Sequence, residues 1–482
     1  MKLSELLSPW VEIAIEDCDI TGLQNDSRQL KAGHVFLAYP GALTDGRLFI
    51  PQAIAANASV IVYEPENWPP NSMLPTEFRG IAFPGLSRHL AAIASRFFGD
   101  PADGMPITGV TGTNGKTTIA FQLAQAHALL GERAAYIGTL GQGEYTHLQL
   151  LANTTPDALV LQSLFHNYKS CGIKRVCMEV SSHALEQGRV DGLPFTQAIF
   201  TNLTHDHLDY HRTMENYAEA KALLFAGTSL ETAIVNFDDP YVKYMTEPVK
   251  KGCRLLTYGI KEGAVVRALD WNVDMTGTDM TVVSPWGKCS FRINALGFFN
   301  VYNALAVFSS LLATGYPLQS VTEIMSQLNP APGRMEVVNQ KPCIIVDYAH
   351  TPDALENVLK TLVNVKQGKI LVVLGCGGDR DKTKRPKMGE IAGRYADIAI
   401  ITSDNPRSED PYQIMEDIVQ GLSGNNPVYK IADRKEAISR AIELGNDEDI
   451  ILIAGKGHET YQQIGRTYHH FSDQEVVHAL IG

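Results

Sequence analysis

The run Gly109-Val110-Thr111-Gly112-Thr113-Asn114-Gly115-Lys116-Thr117-Thr118 constrains this chain more than any other feature. It follows the strand-like Ile107-Thr108-Gly109-Val110 and precedes a helical pattern from Ile119 to Leu130. Strand, glycine loop and helix together make a phosphate cradle, because glycines let backbone N–H groups close on phosphate oxygens and the helix N-terminus adds its dipole. Lys116 suits pairing with β- and γ-phosphates, and the hydroxyl of Thr117 or Thr118 suits Mg²⁺. The strict form of such a loop has glycine at 110, where this chain has Val110, so the loop is a variant with glycines at 109, 112 and 115. The expectation is magnesium-ATP bound here and consumed in a reaction.

The rest of the chain extends the same pattern. Over 1–86, Val35-Phe36-Leu37-Ala38 and Val60-Ile61-Val62-Tyr63 read as strands, with a helix from Pro51 to Ala58 between them. Trp68-Pro69-Pro70-Asn71-Ser72 reads as a loop. A second block, 87–335, opens with a helical run from Leu86 to Phe98. It continues with strand-like Arg175 to Val180, Gln197 to Thr201 and Thr232 to Asn236. Helices between these strands predict a mainly parallel, helix-covered sheet, and alternation from Val265 to Ile293 predicts a small antiparallel insertion. Pro330-Ala331-Pro332-Gly333 reads as a linker. The third block, 336–482, carries strand-like Cys343 to Val346, Ile370 to Leu374, Ile398 to Thr402 and Ile450 to Ala454. It reads as a further α/β domain with ligand loops at its strand ends.

With 482 residues the chain is long enough for two to four domains. A net charge of −12 argues against a surface that coats nucleic acid or an anionic membrane. The seven cysteines, at 18, 171, 177, 253, 289, 343 and 376, include no CxxC pair, which fits a reducing cytosol. The acidic start, with Glu5, Glu12 and Glu16, does not read as a signal peptide. No membrane-spanning run is expected either, so the chain is expected to be cytoplasmic.

Six segments, in order, resemble the Mur ligase family of peptidoglycan synthesis: Gly112 to Thr118; Glu179-Val180-Ser181-Ser182-His183; Asn202-Leu203-Thr204-His205-Asp206-His207-Leu208-Asp209; Phe299-Asn300-Val301-Tyr302-Asn303; Asp347-Tyr348-Ala349-His350-Thr351-Pro352; and Gly455-Lys456-Gly457-His458-Glu459. The resemblance implies an α/β fold of three domains: a small UDP-binding domain, a central P-loop ATPase-like domain with a parallel sheet, and a C-terminal Rossmann-like domain. It also implies a reaction, in which a carboxylate takes the γ-phosphoryl group of ATP and an amine then displaces phosphate to leave an amide. For ATP it implies Gly112, Thr113, Asn114, Gly115, Lys116, Thr117 and Thr118, with Asn300 and Asn303 on the adenine side, Arg334 at the γ-phosphate and Asp347 at the ribose. For two Mg²⁺ ions it implies Thr117, Glu179, His207 and a carbamylated Lys221. Where the family commonly has arginine, this chain has His205.

The same resemblance reads substrates. Asn25, Ser27, Asn153, Thr154, Thr155, Ser181, Gln187 and Arg189 match positions that hold a UDP-muramoyl dipeptide. The loop from Thr44 to Arg47 resembles another UDP loop. Asp404-Asn405-Pro406-Arg407 resembles the signature of members that add meso-2,6-diaminopimelate to UDP-N-acetylmuramoyl-L-alanyl-D-glutamate, and Arg380, Gly455 and Glu459 match further contacts to that amino acid. A guanidinium fork suits the distal carboxylate of diaminopimelate. A monomer is expected, without nucleic acid or membrane insertion. The rival readings are a lysine-adding relative, a folylpolyglutamate synthase, and a binding protein gated by ATP without chemistry.

Overall fold

β-branched and aliphatic runs bounded by turn residues become the strands of three large sheets in a computed structural model that describes residues 1–41, 44–69, 78–424 and 426–481. The first sheet is parallel, in the order Gly22–Gln24, His34–Ala38, Val60–Tyr63, Gly80–Ala82. The helix Ile50–Ala55 lies between its middle strands in sequence, with Pro51 in its first turn, as expected. The helix Leu86–Phe98, read as the opening of the second block, buries Leu86, Ile93 and Ala94 in a cluster with Leu3 of the first helix, Val35 and Val60 of the first sheet and Leu159 of the helix Ala158–Ser170. Its first N–H is capped by Glu64, whose Oε2 accepts from Leu86 N at 3.0 Å. From residue 70 onward, the loop expected at 68–72 lies outside the described residues.

The central sheet has ten strands. From one edge they run Gly287–Ile293, Gly277–Ser284, Val266–Asp274, Arg254–Gly259, Thr232–Asn236, Phe195–Phe200, Ile107–Thr111, Arg175–Glu179, Ala134–Gly138 and Gly141–Gly143. The expected antiparallel insertion is present, but it prolongs the sheet: Val266–Asp274 pairs parallel with Arg254–Gly259 and antiparallel with the next strand. The helix Lys116–Leu129 is buried nearly all round, because the sheet and the helix Phe298–Thr314 enclose it. The helices Ala158–Ser170 and Met214–Ala222 bury Leu161, Phe165, Tyr217 and Ala218 in a second core, with Val176, Met178, Ala198 and Phe200 of the sheet.

The third sheet runs Glu336–Gln340, Cys343–Asp347, Ile450–Ala454, Ile370–Leu374, Ile398–Ile401, Val428–Lys430, parallel except for its first pair. The strands Cys343–Asp347, Ile450–Ala454, Ile370–Leu374 and Ile398–Ile401 are buried and almost wholly apolar because helices cover both faces, whereas the edge strand Val428–Lys430 is largely exposed. The C-terminal helix Asp473–Ile481 is pinned by a fully buried pair. Arg434 donates from Nε and Nη2 to the two oxygens of Asp473 at 2.7 Å, and its Nη2 also reaches Ala454 O at 3.1 Å.

This topology assembles loops that are remote in sequence. The neighbouring strands Phe195–Phe200, Ile107–Thr111, Arg175–Glu179 and Ala134–Gly138 are parallel, so their carboxyl ends open on one edge. That edge carries the loops at 201–207, 112–115, 180–182 and 139. Likewise Ile450–Ala454, Ile370–Leu374 and Ile398–Ile401 are neighbours, which brings 455–459, 375–380 and 402–407 together. No helix among the described residues is long and apolar enough to cross a membrane.

Candidate active site

Gly115 sits at φ +89 at the start of the helix, and a Cβ on it would lie 2.5 Å from Asn303 Oδ1, so the loop can pass only with glycine there. Lys116 Nζ donates to Gly112 O at 2.9 Å and Thr113 O at 2.8 Å, and burial holds its pKa below that of an ordinary lysine. Asn202 and Thr201 fix the loop: Asn114 N donates to Asn202 Oδ1 at 3.0 Å, and Thr201 Oγ1 to Asn114 O at 2.6 Å. Asn303 Nδ2 donates to Asn300 Oδ1 at 2.8 Å, and Asn300 Nδ2 to Leu296 O at 2.7 Å. A cleft of about 570 Å³ opens beside them, lined by Asn114, Gly115, Thr118, Asn300, Asn303, Arg334 and Asp347, with Phe298, Tyr302 and Trp271 as apolar walls. Its size and mixed lining suit a nucleotide.

Glu179 is fully buried and gathers four donors: Thr117 Oγ1 at 3.0 Å, Tyr136 Oη at 2.5 Å, and Thr139 N and Oγ1 at 2.8 and 3.2 Å. Arg334 Nη2 donates to the same Thr117 hydroxyl at 3.0 Å, with its guanidinium stacked 4.4 Å over the Tyr348 ring. A buried carboxylate sharing a hydroxyl at the edge of a phosphate loop is a donor set of hard oxygens, and it fits Mg²⁺. Among the described residues no group of three or more His, Cys, Asp or Glu converges on a metal position. Mg²⁺ at a phosphate loop does not require one, since phosphate oxygens and water complete its octahedron.

Lys221, on the helix Met214–Ala222, is also buried. Its Nζ donates to Gly112 O at 2.9 Å, the carbonyl that Lys116 also uses, and lies 4.4 Å over the Tyr217 ring. Burial first, and then the Lys116 charge, push its pKa well below the usual lysine value. His207 adopts a left-handed backbone, φ +54, in the turn before Leu208–His211. Its Nε2 lies 3.4 Å from Asp206 Oδ2, and burial pushes its pKa down to about 4. His183 packs edge-on at 4.9 Å between ring centres.

The residues read as peptide contacts are hydrogen-bonded to one another. Thr155 Oγ1 donates to Glu179 O at 2.9 Å and accepts from Ser181 N at 3.1 Å. Thr154 and Thr139 hydroxyls meet at 3.1 Å, and Arg189 bonds Gln187 Oε1 through Nε and Nη2 and Thr155 O through Nη1. Ser181 Oγ caps the helix Ser182–Glu186, and Asn153 is exposed beside this group. Asn25 is in the first unit, donating to Tyr39 Oη at 3.0 Å, and Ser27 starts a short 3₁₀ turn. Arg47 is spent internally: it pairs with Asp45, donates to Glu64 O, Glu66 O and Asn67 O, and lies over Trp68.

The third sheet gathers the remaining residues. Asn405 Nδ2 donates to Glu459 Oε2 at 2.9 Å, and Asp404 is buried beside them. Arg407, at φ +51, donates from Nη1 to Gly378 O at 2.7 Å. A Cβ on Gly377 would lie 2.9 Å from Arg407 Nη1 and 3.8 Å from Arg380 Cγ, so the two arginines flank one glycine. The loop 402–407, with Pro406 at its turn, is clamped by the hairpin of Tyr461–Ile464 and Thr467–His470: Gln462 Nε2 donates to Asp404 O, Gln463 N to Asn405 Oδ1 and Arg407 N to Gln463 O. Gly455 carries φ +117 at the end of its strand. Asp347 accepts from Met335 N at 2.7 Å and Ala349 N at 2.8 Å, which fixes the turn that carries Arg334.

Several residues in these contacts have no role in the sequence reading. Tyr136 and Thr139 hold Glu179; Asp353 accepts from Asn114 Nδ2 at 3.1 Å across the two larger units; Lys456 lies between Asp404 and Glu459. Lys456 and Asp353 lie within or one residue beyond quoted motifs, which was the available signal. Tyr136 carried none.

Family models match across the chain: Mur ligase family, catalytic domain, at 19–98; Mur ligase middle domain at 110–311; and Mur ligase, glutamate ligase domain, at 333–457. A UDP-N-acetylmuramoyl-L-alanyl-D-glutamate–2,6-diaminopimelate ligase of Neisseria meningitidis is 43% identical over 94% of this chain and 93% of its own. The chain belongs to the Mur ligase family. The ligase of the same name from Geobacillus thermodenitrificans is 43% identical to this Mur ligase over 100% of this chain and 99% of its own. A solved structure with that name matches it with a TM-score of 0.72 and 36% identity, covering 100% of this chain and 98% of its own. The folylpolyglutamate synthase of Mycobacterium tuberculosis, at 16% identity and a TM-score of 0.64, shares the fold over 76% of this Mur ligase and 92% of its own chain.

Proposed function

We propose that this Mur ligase joins meso-2,6-diaminopimelate to the D-glutamate carboxylate of UDP-N-acetylmuramoyl-L-alanyl-D-glutamate, with ATP as co-substrate, in cytoplasmic peptidoglycan synthesis. The observation that carries the reading is the meeting of two strand-end edges. The phosphate loop and Glu179 face Arg334 at the boundary and Asp353 and His458 of the third unit, and Glu459 follows His458 directly. Relatives named for this reaction align over nearly the whole chain.

In this reading Gly112 to Thr118 and Lys116 hold the phosphates, Asn300 and Asn303 face the adenine, and Asp347 meets the ribose. Arg334 reaches the γ-phosphoryl group, where its charge offsets the negative charge of the transferring oxygens. Two Mg²⁺ ions, one held by Thr117 and Glu179 and one by His207 and carbamylated Lys221, would neutralise phosphate charge. Lys221 suits carbamylation because its burial favours the neutral amine, the form that adds CO₂. Asn25, Ser27, Asn153, Thr154, Thr155, Ser181, Gln187 and Arg189 place the UDP-dipeptide so that its terminal carboxylate attacks the γ-phosphorus and ADP leaves. The amine of diaminopimelate then attacks the acyl carbon, loses a proton, and expels phosphate. Alignment supplies much of the rate, since carboxylate and amine do not condense unaided at neutral pH. The catalytic unit is proposed to act as a monomer, with units bounded near 86 and 335 and the helix Leu86–Phe98 packed on the first.

An amino-acid panel with ATP and the UDP-dipeptide, read by product mass, tests this. Amide formation with diaminopimelate is expected; product with lysine alone would overturn the assignment. Arg407→Ala is expected to raise the KM for diaminopimelate by about 2–4 kcal/mol in binding terms, leaving the KM for ATP nearly unchanged. An amino-acid KM equal to wild type would remove Arg407 from the site.

A further inference from the structure

We propose that Lys456 is the positioning residue of the amino-acid pocket: its buried ammonium holds Asp404, Asn405 and Glu459 in one arrangement and leaves that carboxylate cluster a single net negative charge. This rests on the functional reading above and adds a specificity element to it. Lys456 is 0% exposed, and its three protons meet three acceptors: Asp404 Oδ1 at 3.4 Å, Asn405 Oδ1 at 3.4 Å and Glu459 Oε2 at 3.1 Å. The Tyr461 ring closes the far side, 5.4 Å from Nζ to its centre.

An ammonium out of water is costly unless it is paired and hydrogen-bonded, and a tripod of acceptors meets that demand. Its counterpart is equally constrained. Asp404 and Glu459 are two carboxylates brought within reach of one nitrogen, and without a cation between them they would repel. The next cation, Arg434, is already committed to Asp473. With Lys456 in place, two negative charges become one.

The contacts from Lys456 fall on Asp404 Oδ1 and Glu459 Oε2, so each carboxylate has a second oxygen to offer. Arg407 and Arg380 stand together at Gly377 on the adjoining loop. One net negative pole beside the Arg407 guanidinium is complementary to an α-ammonium and carboxylate on one carbon, the zwitterionic end that diaminopimelate retains after its other amine reacts. A pocket with two free carboxylates would instead favour two cations. Lys456 acts through the carboxylates and touches no reacting atom, so its removal weakens amino-acid capture and leaves the chemical step.

The experiment compares K456Q, K456M and K456R with the wild-type chain, each with its melting temperature, the KM for diaminopimelate and for ATP, and kcat. K456Q and K456M are expected to raise the KM for diaminopimelate about 30-fold, with kcat and the KM for ATP within about threefold of wild type. K456R, which keeps the charge, is expected to recover most of that loss. A wild-type amino-acid KM in K456Q overturns the proposal, as does equal damage to both KM values. Failure of both neutral variants to fold would make the lysine a structural pin and also overturn it. The wild-type control separates the two claims: if it does not use diaminopimelate the functional reading fails, whereas if it does and K456Q matches it, only this proposal fails.

Discussion

Lys116→Met is expected to lower ATP-dependent amide formation by about 10³-fold or more, equivalent to about 4 kcal/mol of transition-state stabilisation. The argument starts from the lysine's surroundings. In the structure its ammonium rests on the carbonyls of Gly112 and Thr113 within the loop, and Glu179 and Asp206 are the anions whose charge it feels. Burial disfavours the charge, so the position is retained only where an anion of high charge density is to be met. A triphosphate is such an anion. Methionine keeps the unbranched stem and removes the charge, so packing around the helix Lys116–Leu129 should survive. Phosphate release under saturating substrates, with a melting curve beside it, is the measurement. A rate within tenfold of wild type, on a folded protein, would mean the loop does not bear on phosphoryl transfer.

Much of this site was legible before any coordinates, and the reason is local. The phosphate loop is a contiguous device: strand, glycines, lysine and hydroxyls lie within residues 107–118, so sequence and structure describe the same object. The strands at 107–111, 175–179, 195–200 and 232–236 were readable because each is buried on both faces and carries a run of apolar residues, with its polar residues mostly at the ends. The amino-acid cluster was readable only as separate loops. What joins 377–380, 404–407 and 455–459 is strand order, and strand order is set by long-range pairing that leaves no mark within any one loop.

The parts that escaped share that character. Leu86–Phe98 reads as a helix from its own pattern, but nothing in it says which sheet its apolar face will meet. The antiparallel run at 265–293 reads as strands, but its continuation of the central sheet depends on a parallel contact at Val266. Arg47 adds contacts that its own loop does not announce: the resemblance of Thr44 to Arg47 to a UDP loop rests on local sequence, whereas its guanidinium reaches Glu64, Glu66 and Asn67 as well as Asp45. Tyr136 lies in an apolar strand and looks like core until its hydroxyl is seen 2.5 Å from Glu179.

Lys221→Ala is expected to cost about 10³-fold in rate, and added short carboxylates such as acetate or formate are expected to restore part of it. As an unmodified ammonium Lys221 makes little electrostatic sense: it shares the Gly112 carbonyl with Lys116, and burial and that like charge both disfavour its protonation. The same two effects favour the neutral amine. Addition of CO₂ to that amine, with loss of a proton, replaces a cation by an anion and turns its relation to Lys116 from repulsion into attraction. Alanine leaves a cavity where an external carboxylate could take the same place, whereas a loss caused only by misfolding would not respond to the anion. Rescue should saturate with carboxylate concentration, be absent in Lys116→Met, and be absent with chloride at equal ionic strength. A variant that stays folded, stays slow and ignores every carboxylate offered would leave Lys221 as a structural lysine, and the anion proposed for the second magnesium site would have to come from another residue.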